Sequence, residues 1–127
     1  MRASFLKAGL PLAVGSSTLI SCGGAPELDM SEAGYAGANE CYVAMMAYNP
    51  LGEETGSETY ENGPTNARNA IKEIAAAVGI DDAKVESDAK ANDDEIRSLI
   101  AKGKADFIDP DFKAAREKAV ECGEIYE

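Results

Sequence analysis

The 127-residue chain contains no tryptophan and no histidine, and only three phenylalanines. Each shortage closes off a class of function. Without an imidazole, catalytic triads that pass a proton through His are excluded, as are zinc sites that use it. Phe5 stands near the start, which leaves Phe107 and Phe112 for the rest of a chain rich in alanine. Such a core is narrow and gives little sign of a large apolar cavity. Basic residues are scarce too, 12 against 23 acidic ones, for a net charge of −11. Nucleic acid, whose phosphates need Lys and Arg to displace counterions, is therefore not an expected partner. The same balance disfavours lying flat on anionic lipid. A cationic partner is compatible with it, and so is simple solubility. Neither Gly-rich phosphate loop occurs, GxGxxG or GxxxxGK followed by Ser or Thr. Carboxylates are so abundant that choosing two as an acid and a base would be arbitrary, and no cofactor is expected.

What is present begins with residues 1–21. Arg2 and Lys7, with the amino terminus, make a positive region. Ala8 to Ile20 is then mostly apolar, interrupted by Pro11, Gly15 and Ser16-Ser17-Thr18. Those thirteen residues are too few for a membrane span, which needs roughly 20. The order is that of an export signal. It closes on Leu19-Ile20-Ser21-Cys22, with Leu three places before the Cys and a small residue just before it. This resembles the lipobox of bacterial lipoprotein signal peptides. The resemblance covers the leader and Cys22 alone, and implies that Cys22 becomes the mature first residue with a diacylglyceryl group on its thiol. It also implies a membrane partner through that lipid and a place in the bacterial cell envelope. Gly23 rather than Asp after the Cys implies the outer membrane, facing the periplasm. The competing reading is plain secretion with an unpaired Cys22. A cut after Ala25 would serve it, but puts Pro26 directly after the cut.

Once Arg2 and Lys7 leave with the leader, 106 residues remain, with 10 basic and 23 acidic side chains and a net charge of −13. That is the size of one small domain. With Cys22 assigned to lipid, Cys41 and Cys122 are an even pair in an oxidising setting, and a disulfide between them is expected. The alternative is two buried free thiols.

Residues 22–30 read as a flexible tether, and residues 31–127 as a helical domain. Ser31 is a candidate N-cap, followed by a helix to about Tyr48 with Ala38, Cys41, Tyr42, Met45 and Tyr48 on one stripe. Gly34 and Gly37 weaken its first turns, so a late start is open. Residues 49–63 read as a long acidic loop holding Pro50, Glu53, Glu54, Glu58 and Glu61. A solvated loop is favoured there over a calcium site, because the spacing is not that of an EF-hand. Pro64 and Gly79 bracket a second helix with Ala67, Ala70, Ile71, Ile74, Ala75 and Val78 inward and Arg68, Lys72 and Glu73 outward.

Between Asp81 and Ala105 one face runs through Val85, Ala89, Asn92, Ile96, Leu99 and Gly103. Asn92 followed by Glu95 also has the form of a capping box, and a break near Asn92 is the preferred reading over one long helix. Asp109-Pro110 starts a last helix with Phe112, Ala115, Ala119, Cys122 and Tyr126 on one side. Capping accounts for Asp109 and the helix dipole for Asp111, so neither they nor Asp106 are assigned to metal. Met45-Met46 is read as core filling rather than a soft-metal site.

The expected fold is all-α, a small four-helix bundle-like domain whose first and last helices are joined by Cys41–Cys122. The expected function is a lipid-anchored envelope protein whose acidic domain is a protein-interaction module: an adaptor, inhibitor, immunity-like or chaperone-like protein, and not an enzyme. Two alternatives stand beside it. One is an envelope enzyme using carboxylates with a divalent cation, the other a purely structural lipoprotein.

Overall fold

The computed structural model describes residues 28–127, so the expected leader, Cys22 and the first part of the tether lie outside the described residues. Four helices make up the body: α1 (Glu32–Glu54), α2 (Gly63–Val78), α3 (Asp82–Ala105) and α4 (Pro110–Tyr126), with no strand among the described residues. The all-helical expectation holds.

Local chemistry sets most of the helix ends. Ser31 Oγ accepts from the Gly34 N–H at 3.1 Å, and Asp81 Oδ1 accepts from Lys84 N–H at 2.9 Å. Asp109 Oδ2 takes both the Asp111 and Phe112 N–H groups, at 3.0 and 3.1 Å. At the end of α2, Gly79 turns left-handed with φ 81°, and the Ile80 N–H closes on the Ala75 carbonyl at 2.9 Å. That is the Schellman pattern. The start of α2 is served differently. Asn62 offers no side-chain cap; instead the Glu127 carboxylate accepts from the Asn62 and Gly63 N–H groups at 3.0 and 2.8 Å. A negative charge there also suits the helix dipole.

Two boundaries differ from the sequence reading. The first helix does not stop before Pro50 but continues to Glu54, which shortens the long acidic loop to residues 55–62. Pro50 costs one backbone hydrogen bond. Burial of Leu51 and Gly52 offsets that loss, and the Asn49 amide grips the returning chain at the backbone carbonyl and N–H of Tyr60, at 2.9 and 3.0 Å. The Tyr48 hydroxyl adds a bond to the Glu58 carbonyl at 2.7 Å. Likewise, α3 has no break at Asn92. The Asn92 side chain is not a cap; its amide donates to Asn39 Oδ1 on α1 at 2.7 Å. A tertiary partner has outcompeted the capping box. Leu28, in the segment read as tether, packs partly buried against the core.

α1 is the central helix and packs against all three others. Its residues Cys41 to Met45 are buried without interruption. A helix apolar on every side has neighbours on every side. α2 lays Ala67, Ala70, Ile71, Ile74 and Ala75 on it, and α4 lays Phe112, Ala115, Ala119 and Cys122. Cys41 and Cys122 are bonded, with Cα atoms 5.4 Å apart, and tie the first helix to the last. Arg68 of α2 does not simply point to solvent. Its guanidinium lies 4.8 Å from the Tyr42 ring centre and donates to the Tyr42 hydroxyl.

Candidate functional site

Because α3 and α4 both lean on α1 with small residues between them, a groove of about 650 Å³ opens along their meeting line. Its floor is apolar, made by Val43, Ala44, Leu99 and Ala115. Its rim is polar and of both signs. Lys102 of α3 meets Asp111 of α4 at 2.7 Å, and that hydrogen bond raises the Lys102 ammonium above its ordinary pKa. Lys118 stands 3.8 Å from Glu40 and 3.7 Å from Glu121. These pairs are exposed, where water and salt screen them, so they add little to stability. Their use is to fix where charge sits around the floor. Such a surface offers methyl groups below and hydrogen-bonding groups of either kind above.

The α1–α3 seam at one end of the groove is polar. Asn39 receives the Asn92 amide and passes its own amide to the Tyr35 carbonyl at 2.9 Å. One turn further, Tyr35 Oη donates to Asp88 Oδ2 at 2.7 Å, with Lys84 Nζ 2.9 Å from the same carboxylate. Burial, aided by Asp88, pushes the Tyr35 phenol up to about 12. The Tyr35 hydroxyl, and then Lys84, hold the Asp88 carboxyl below its ordinary 3.8.

The linkage follows from these directions. A lowered carboxylate contributes stability above its unfolded pKa and loses it as pH falls through the folded value; a raised phenol contributes below 10.0 and loses it as pH rises towards 12. Tyr35→Phe is therefore expected to cost about 1 kcal/mol on a plateau between the two, with the gap closing in acid. Urea unfolding over a pH series measures this. A cost that stays constant down to the acid limit would assign it to packing rather than to the bond.

The sequence-derived candidates fall as follows. Cys41 and Cys122 come together, and Cys22 lies outside the described residues. Glu53, Glu54, Glu58 and Glu61 are all exposed. Asp106 accepts from the Ile108 N–H at 3.1 Å, Asp109 caps α4, and Asp111 faces Lys102. Among the described residues no group of three or more His, Cys, Asp or Glu converges as a metal site would require. Met45 is fully buried, and Met46 packs partly buried against the core. No helix of the described residues is long and apolar enough to cross a membrane.

Sequence reasoning missed the Asn39–Asn92 pair, the Arg68–Tyr42 contact and the Glu127 cap. Only the first left a signal, an amide on an otherwise apolar helical face. Comparison with protein-family models, with curated proteins and with solved structures finds no match to this chain.

Proposed function

We propose that the protein is a lipoprotein of the bacterial cell envelope, held to the membrane through Cys22, whose acidic helical domain acts by binding another protein. The observation that carries this reading is the distribution of the three cysteines. Two of them are bonded to each other within the core, as a chain in an oxidising compartment would have them. The third stands in the lipobox-like Leu19-Ile20-Ser21-Cys22, behind a basic and apolar leader. A thioether to lipid would leave no free thiol.

Binding is favoured over catalysis by the character of the groove. Its carboxylates, Glu40, Glu95 and Asp111, are exposed on the rim rather than enclosed in the kind of pocket that acid–base work needs. Outer-membrane residence rests on Gly23 and belongs to the same proposal.

The test is made in cells fed labelled palmitate, with a photoreactive residue in place of Ser98 on the groove. The protein is expected to label, to sediment with membranes and to form a discrete cross-linked species. Cys22→Ala should lose label and sedimentation together. Label that survives Cys22→Ala would defeat the anchor. Cross-linking no different from that at Glu73, on the outer face of α2, would defeat the groove.

A further inference from the structure

A second, smaller cavity of about 260 Å³ lies where the chain enters α1, lined by Leu28, Ala33, Ile74, Ile125 and Tyr126 among others. Ile125 is 42% exposed, as is Met30, two residues beyond Leu28. Both belong to the few large apolar side chains that the described residues leave in water. What this patch faces is limited by the covalent chain. Cys22 lies six residues before Leu28, and six Cα steps reach at most roughly 20 Å whatever their conformation. With α1 at 23 residues, or roughly 35 Å, the patch is held nearer to Cys22 than the length of one helix.

We propose that this face, with Leu28, Ile125 and Tyr126, rests on the headgroup region of the membrane and sets the orientation of the domain. The proposal rests on the reading of Cys22 as lipid-bearing. The patch is too small to hold a free protein on a bilayer. Tethering changes that, because contact with the surface becomes intramolecular and a weak apolar contact is enough. Tyr126 suits the interface, where a ring can be apolar on its body and wet at its hydroxyl. The surrounding charge narrows the lipid. Asp29 and Lys118 line the cavity, while Glu121 and Glu124 lie within a turn of Ile125 on α4. The balance is negative, so the surface that fits is zwitterionic.

The absence of tryptophan from the chain supplies the probe, since an introduced indole is the only one. The full lipidated protein, carrying either Ile125→Trp or Ile108→Trp, is reconstituted into phosphatidylcholine vesicles with brominated acyl chains. Ile108 is 72% exposed at the α3–α4 turn, some twenty residues beyond the Asp88 that meets Tyr35 near the start of α1. The indole at position 125 is expected to shift to the blue and to be quenched several-fold more than the one at 108. Adding phosphatidylglycerol should reduce that quenching. Equal quenching at the two positions, or quenching that rises with anionic lipid, would overturn the proposal. Protein that floats with the vesicles yet shows no quenching at 125 sinks the seating and leaves the anchor standing. Protein that does not float, with an unmodified Cys22, takes down both.

Discussion

Breaking the Cys41–Cys122 bond should cost about 2–5 kcal/mol of folding stability, a large share of the roughly 5–15 kcal/mol that small domains possess. The bond closes a loop with a sequence separation of 81, for which chain entropy alone gives about 4 kcal/mol. The core it supports is thin, because many of its buried residues are alanines that each remove little area from water, at roughly 25 cal/mol per Å². Reduction of the native protein tests the bond without replacing a side chain. Cys41→Ser with Cys122→Ser should cost somewhat more, as two buried thiols become hydroxyls without assigned partners. For a domain near 100 residues each kcal/mol corresponds to about 4–8 °C, so reduction should lower Tm by at least about 10 °C. Scanning calorimetry with and without reductant reads it. An unchanged melting curve after verified reduction would mean that the α1–α4 contact holds without its covalent link.

Phe112→Ala should be of similar size, about 3–5 kcal/mol. Phe112 has no exposed surface, and its ring centre lies 5.3 Å from that of Phe107. It fits because residue 103 has no side chain: a Cβ built on Gly103 would come within 2.6 Å of the ring. The companion change Gly103→Ala separates two opposing effects. Helix propensity favours Ala over Gly by about 1 kcal/mol, whereas overpacking a closed core costs about 1–3 kcal/mol. Here the steric term should win, because the ring that must yield is fully enclosed. Gly103→Ala should therefore destabilise in urea titrations with an unchanged slope. A gain in stability would show that the α3–α4 junction has room to spare.

The features legible in the sequence share one property, that their cause lies within a turn or two of the chain. Ser31 and Asp109 cap the helices that follow them, and Gly79 ends α2 with Ile80 closing the turn. The inward stripes of α2 and α4 were readable from their period, and so was the direction in which Cys41 and Cys122 face. What was not readable depends on residues far away. Pro50 looks like a helix end until Asn49 meets Tyr60, 11 residues on, and Asn92 looks like a cap until Asn39 appears opposite it, 53 residues back. The capping of α2 by Glu127 spans a separation of 65 to Asn62. The groove is hidden for another reason. Ala44, Ala114 and Ala115 read as ordinary helix formers, and only the crossing of α3 and α4 over α1 turns their small size into space.

Mass spectrometry of the unreduced protein taken from membranes decides where the three cysteine sulfurs go. The expected result is a first residue Cys22 carrying a diacylglyceryl group, a linked pair of peptides containing Cys41 and Cys122, and no free thiol. A Cys22 thiol left free, Cys22 joined to either of the others, or a mature chain that still carries residues 1–21 would contradict it.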